Sequence, residues 1–277
     1  MKIVSKEILC TFQDTRVIKM KVYSPLISKN ALPGQFVVLM VSESGERIPL
    51  TIVDRDIQEE TITLIFQEVG FTTRLLGKLN VGDRLFSLLG PLGHPTSIKY
   101  WGKIVMVGGG VGVGEILPVA KAFKDKGNEI VSIIGARTRS LIILEKELRD
   151  LSAQTIICTD DGSYGFKGFT TQALEEYLKN NEASFVYAAG PLIMLKEVSL
   201  ITRKFHVKTT VSLSPLMLDA TGMCGVCRVK VGGVLKFACI DGPEFDAHEI
   251  EWEDLLARVK MYRDKEKYIE EFYKDVR

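Results

Sequence analysis

The stretch KIVMVGGGVGVGEIL, residues 103–117, decides the fold. It opens with a short apolar run, Lys103 to Val107, passes through a glycine-rich turn, and enters a segment whose apolar spacing predicts a helix from about Gly114 to Lys126. A second apolar run, Glu129 to Gly135, completes a strand-helix-strand unit. A strand that hands over to a helix through glycines brings backbone N–H groups and the positive end of the helix dipole to one point, which suits a phosphate. Gly108, Gly109, Gly110, Val111 and Gly112 are therefore candidate nucleotide-binding residues. The register departs from G-x-G-x-x-G, because Val113 stands where the third glycine would fall. A tight turn without ligand is the alternative.

The same alternation continues outward. A helix over Leu141 to Leu151, a strand Thr155 to Thr159, a helix Thr170 to Asn180, a strand Ser184 to Ala188 and a helix Pro191 to Phe205 predict a doubly wound parallel sheet. Three further loops then fall on the carboxyl edge of that sheet. The first carries Arg137 and Thr138 followed by Arg139, where two arginines suit a 2′-phosphate or flank an adenine. The second carries Asp160 and Asp161, and the third Gly190 and Pro191; each by itself also reads as an ordinary turn.

Before residue 99 the texture differs. Short β-rich runs, Arg16 to Val22, Gln35 to Val41, Thr61 to Glu68 and Arg84 to Leu88, are separated by turn signals such as Leu32-Pro33-Gly34 and Val81-Gly82-Asp83. They predict a small antiparallel barrel. In it, Arg47-Ile48-Pro49-Leu50-Thr51 sets a cation beside a strand with a hydroxyl, a combination suited to a flavin pyrophosphate and ring edge, or simply a solvated arginine before a strand. Gly70-Phe71-Thr72-Thr73 opens a short helix and offers a second N-terminus for phosphate, or a plain capped helix. The expected organisation is a barrel over 1–98, an α/β unit over 99–208, and a cysteine-bearing segment with a charged helical tail from Trp252 to Arg277 over 209–277.

Composition narrows the function classes. With 46% hydrophobic and 26% charged residues among 277, the sequence is that of a globular protein with a sizeable core. Its 36 Lys and Arg nearly balance 35 Asp and Glu, so no bulk field favours nucleic acid or an anionic membrane. Charged residues interrupt the first ten positions, unlike a signal peptide, and no apolar run is long enough to span a bilayer. A cytoplasmic location is the expectation.

Three of the five cysteines, Cys224, Cys227 and Cys239, crowd into one segment, which suggests metal ligation over a disulfide framework. Plant-type 2Fe-2S sites use C-x4-C-x2-C with a distant fourth cysteine, and here Asp219 occupies the first position of that spacing. Gly222 and Gly225 allow the backbone to wrap closely and present N–H groups to sulfide. The rival is zinc, since Cys224-x2-Cys227 is also half of a zinc knuckle, with Asp219 or His248 as a further ligand.

The order of these motifs resembles that of the ferredoxin-NADP reductase-like flavoproteins. Within them it is similar to the electron-transfer subunit of dihydroorotate dehydrogenase and, closer still, to the small subunit of NADH-dependent ferredoxin:NADP oxidoreductases, the sulfide dehydrogenases. The resemblance covers nearly the whole chain. It implies FAD held by the R-x-P-x-[ST] stretch (Arg47, Pro49, Thr51) and by the G-x-x-[ST] turn (Gly70, Thr73), a 2Fe-2S cluster, and NAD(H) or NADP(H) as hydride partner. It further implies a heterodimer with a larger flavin and iron-sulfur subunit, through which ferredoxin is reached, and electron bifurcation. Asp219 in place of a first cysteine separates the two branches, and Ala189 stands where many of these reductases carry a cysteine before Gly-Pro. Hydride transfer needs no general acid or base, so no catalytic side chain is nominated. Two other expectations stand beside this one: an electron-transfer subunit of dihydroorotate dehydrogenase, and a zinc-stabilised nucleotide-binding regulator without flavin.

Overall fold

The computed structural model describes residues 1–261 together with Lys265 and Tyr268; the rest of the expected helical tail lies outside the described residues. Strands β1 (Ile3–Phe12), β2 (Thr15–Tyr23), β3 (Phe36–Met40), β4 (Ile48–Asp56), β5 (Thr61–Gln67) and β6 (Ser87–Leu92), with helices α1 (Pro25–Asn30) and α2 (Phe71–Lys78), form the N-terminal part. The strands make one antiparallel sheet in the order β1-β2-β5-β4-β3-β6. Its two ends approach each other: Ile3 N–H donates to Asp83 O and Leu85 N–H to Met1 O, each at 2.9 Å. The alternation of Ile18, Met20 and Val22 with Lys19 and Lys21 along β2 puts the apolar set inside this curled sheet.

The second part contains β7 (Lys103–Gly109), α3 (Gly112–Asp125), β8 (Glu129–Ala136), α4 (Glu145–Leu151), β9 (Gln154–Thr159), β10 (Phe166–Lys167), α5 (Thr170–Asn180), β11 (Phe185–Ala189), α6 (Leu192–Lys204) and β12 (Lys208–Ser212). The sheet order is β10-β9-β8-β7-β11-β12 with all pairs parallel. Its first strand, β7, is central. Along β7, Val105 and Val107 pack against α5 and α6, while Ile104 and Met106 pack against α3. The order in which strands are added reverses between β7 and β11, the switch point outside which such sheets bind ligands.

Two departures from the sequence reading have local causes. The helix expected from Leu141 begins only at Glu145, because Ile143 and Leu144 are buried against the sheet and Leu144 adopts φ 55 to get there. The alternation also runs past residue 208. Strand β12 starts there, and β15 (Glu244–Asp246), from the cysteine segment, extends the sheet by antiparallel pairing of Ser212 with Glu244 and Thr210 with Asp246. That segment also holds a hairpin, β13 (Arg228–Val231) and β14 (Val234–Phe237), turned by Gly232 and Gly233 at φ 58 and 75, and ends in α7 (Trp252–Val259).

Helix α3 lies between the two sheets. Its apolar residues Ile116, Val119 and Phe123 share a core with β7, and Val17, Val53 and Ile65 of the barrel join the same core. A Cβ on Gly112 would stand 2.4 Å from the Ala189 carbonyl oxygen, so only glycine lets the start of α3 reach the loop after β11. We expect Gly112→Ala to destabilise the chain by ~1–3 kcal/mol through this backbone clash. Gly70→Ala, with nothing within 4 Å of the added atom, should cost less than ~1 kcal/mol. Urea denaturation of both variants measures the contrast.

Candidate redox site

A cavity of about 330 Å³ opens between the barrel and the carboxyl edge of the parallel sheet. One wall is β4, with Pro49, Leu50 and Thr51, and another is the N-terminal turn of α2, with Thr73. The far side is built by Val111, Gly114 and Glu115 of α3, by Ser212 and Ser214, and by Met217 and Pro243. Pro49, Leu50 and Thr51 are set by pairing with Val38, Val37 and Phe36 of β3. Arg47 is exposed just before β4.

At α2 the cap is local. The Gly70 N–H donates to Thr73 Oγ1 and the Thr73 hydroxyl to Gly70 O, each at 3.0 Å, while the Thr72 hydroxyl is bonded to the Glu46 carboxylate. At the glycine turn, Gly110 takes φ 56 and its N–H is bonded to Gly135 O at 2.9 Å. The turn therefore offers the amides that open α3, at Val111 and Gly112, and not that of Gly110. Gly109 and Gly190 pack backbone to backbone: a Cβ on Gly190 would lie 3.1 Å from Gly109 N. Pro191 then precedes α6.

The loops after β8 and β9 form a second group along the same edge. Thr138 Oγ1 lies 3.2 Å from Ser163 Oγ, and Arg139 N–H donates to that oxygen at 2.9 Å. The amides of Asp160 and Asp161 donate to Ala136 O and Arg137 O, each at 3.2 Å. Arg137 sits 5.3 Å over the Phe12 ring. Asp161 accepts from the Ser163 hydroxyl at 2.6 Å, and these bonds hold its carboxyl below the usual range; burial pushes that of Asp160 up.

The cysteine segment holds the four expected ligand residues near one another. The Asp219 carboxylate faces the thiol of Cys224, and the thiols of Cys227 and Cys239 face each other. The Gly222 N–H points at Cys239, and burial together with Cys227 pushes that thiol up to about 12. Among the described residues, no three His, Cys, Asp or Glu side chains gather as ligands of one ion. His248 is engaged elsewhere, with a ring nitrogen 3.0 Å from Thr202 Oγ1. Met217 of the cavity wall lies two residues before Asp219.

Sequence models of known families match two parts of the chain. The oxidoreductase NAD-binding domain covers residues 106–199, and the iron-sulfur cluster binding domain of dihydroorotate dehydrogenase B covers residues 214–251. The electron transfer subunit homolog of dihydroorotate dehydrogenase B (NAD+) from Thermotoga maritima is 45% identical over 246 residues, 89% of this chain and 87% of that one. The chain belongs to this family of electron-transfer subunits. A subunit of dihydroorotate dehydrogenase B from Geobacillus thermodenitrificans is 32% identical over 85% of this chain and 93% of its own length. The solved structure described as giving insight into flavin-based electron bifurcation, that of an NADH-dependent reduced ferredoxin-NADP oxidoreductase, superposes with a TM-score of 0.92 and 41% identity. It covers 98% of this chain and 97% of the other. The expected family, the β plus α/β architecture and an oxidoreductase subunit with iron-sulfur and nicotinamide cofactors are thereby shown. Among the described residues, no helix is long and apolar enough to cross a membrane.

The sequence reading missed one group. Glu115 accepts hydrogen bonds from Ser212 and Ser214 at the cavity, and Glu244 accepts from Thr96 at 2.5 Å and from Tyr187 at 2.7 Å. Burial pushes each carboxyl from 4.5 up to about 7. A carboxyl raised on folding binds more protons folded than unfolded between those two values, so stability falls as pH rises from about 4.5 to about 7. Glu244→Gln should flatten that fall by ~1–3 kcal/mol, read by urea unfolding across the window.

Proposed function

We propose that this chain is the small subunit of an NADH-dependent ferredoxin:NADP oxidoreductase of the bifurcating kind. In this reading it moves a hydride between NAD(P)H and FAD and single electrons between FAD and a 2Fe-2S cluster. Residues 1–98 would serve FAD, 99–208 the nicotinamide nucleotide and 209–277 the cluster, with the sheet crossing the last boundary. What supports the reading is the 41% identity over 98% of the chain to the ferredoxin-NADP oxidoreductase structure, together with Asp219 at the first position of a C-x4-C-x2-C spacing.

The cavity fits a flavin: it is lined largely by apolar side chains and bordered by Thr73 in the N-terminal turn of α2, with exposed Arg47 two residues before the lining residue Pro49. Arg47, Thr72 and Thr73 would hold its pyrophosphate, with the amides following Gly70, while Pro49, Leu50 and Thr51 would border the ring. The turn Gly108 to Gly112, the pairs Arg137 and Thr138 and Asp160 and Asp161, and Gly190 with Pro191 would line the nicotinamide nucleotide along the sheet edge. When bound, the flavin supplies the conversion of a two-electron hydride into single electrons; the protein's residues bind, orient and exclude water. A larger flavin and iron-sulfur subunit, reaching ferredoxin, would dock where Met223 (86% exposed) and Leu218 (52%) stand out beside the cluster ligands, in the cytoplasm.

The second reading, an electron-transfer subunit of dihydroorotate dehydrogenase, is favoured by the family match over residues 214–251. Co-purification with the partner discriminates: turnover of dihydroorotate would select the second reading. In the isolated chain we expect flavin and iron-sulfur absorbance, reduction by NADH or NADPH in stopped flow, and a changed electron paramagnetic resonance spectrum in Asp219→Cys. Arg47→Ala should weaken FAD binding about ten- to hundredfold. A colourless protein with stoichiometric zinc would overturn the assignment.

A further inference from the structure

Glu115 is the only ionisable side chain that lines the cavity among the described residues. It stands on the first turns of α3, and every group that faces it comes from a different element. Ser212 and Ser214, at and beyond the end of β12, bond to its carboxyl. Ser212 also bonds to the hydroxyl of Tyr187 on β11, a side chain 1% exposed, and Tyr187 donates to Glu244 on β15. Thr96, in the connection between the two sheets, completes the chain of bonds at Glu244. The titratable groups facing Glu115 are thus Tyr187 and Glu244, with no Lys, Arg or His among the cavity residues to fix it as an anion.

A carboxyl in such a place is built to change its proton occupancy. A hydride brings two electrons and one proton into the cavity. If both electrons leave singly for iron-sulfur centres, the proton stays behind, and an N–H bond cannot give it up without a base within reach. Resting on the flavin reading above, we propose that Glu115 is that base. Its carboxylate takes the proton left in the cavity once the two electrons have departed, either directly or through Ser214. The N–H bond breaks and an O–H bond on Glu115 forms, both electrons end on the iron-sulfur acceptors, and the reverse transfer serves reduction from the cluster side. Ser212, Tyr187 and Glu244 are positioning residues, which hold the carboxyl toward the cavity and keep its charge mobile. Burial holds the group at about 7, close to balance at neutral pH.

Two measurements on the full chain test this. In the flavin-free protein, the infrared carbonyl stretch of a protonated carboxyl should titrate near pH 7 and disappear in Glu115→Gln, whereas Glu244→Gln should remove a separate band. In the FAD- and cluster-loaded protein, stopped-flow reoxidation of NADH-reduced flavin should quicken as pH rises through the same range and show a solvent deuterium effect. Glu115→Gln should slow it roughly a hundredfold and abolish both signatures, while Glu115→Asp restores them in part with a shifted profile. If Glu115→Gln binds FAD fully and keeps the same pH profile and deuterium effect, the proposal is wrong and the flavin reading stands. If the chain binds no FAD, both fall together. Should Glu115→Gln not fold, an Asp variant with an unshifted profile would overturn the proposal equally.

Discussion

Helix α3 can lie against three things at once because Gly112 and Gly114 leave its first turn bare and Gly108 leaves the facing strand β7 bare. A Cβ on Gly108 would meet Ile116 Cδ1 at 2.9 Å, one on Gly112 the Ala189 carbonyl, and one on Gly114 Val53 Cγ2 at 3.4 Å. The first contact brings strand β7 against its own helix, the second joins the two loops at the switch point, and the third is an ordinary van der Waals contact with the barrel. Interiors pack at near-crystalline density, so displacing this helix by a methyl group would open every one of these joints. The cavity exists at the place where they meet.

Three glutamates, one buried and two half-buried, show how differently the fold treats the same side chain. Glu68, beneath α2, is 4% exposed and receives Arg16 through two bonds of 2.5 and 2.6 Å, an ion pair that compensates its burial. Gly77 must be glycine there, since a Cβ would fall onto the Glu68 carboxylate. Glu115 and Glu244 receive only hydroxyls. Hydroxyl donors ease a buried charge without repaying its desolvation, so the proton remains an energetically comparable alternative. Glu68 thereby anchors the helix proposed to meet phosphate, and the hydroxyl-bonded pair stays adjustable beside the cavity.

Much of this was legible in the sequence because it rests on local pattern. The glycine turn after an apolar strand, the exact span of the helix Thr170–Asn180, and the cysteine spacing all depend on residues a few positions apart. What escaped depends on distant partners. Ile142, Ile143 and Leu144 read as helix, but their burial against the sheet broke it. Tyr187 read as one more strand residue, and Glu115 was not singled out, since nothing nearby announces that Glu244 will arrive 57 residues after Tyr187, or Ser212 from the end of β12. The hairpin at Gly232 and Gly233 was equally legible, because paired glycines between alternating apolar runs are a turn signal.

Met217 and Asp219 belong to one short run of backbone, the first in the cavity wall and the second the first of the proposed cluster ligands. Two residues of fully extended chain reach at most ~7 Å. Such a tether removes a kinetic degree of freedom: the gap between an occupant of the cavity and a metal held at Asp219 is ruled by peptide geometry, not by hinge motion. In the proposed assembly, the wall of the cavity and the first cluster ligand would thus move as one run of backbone.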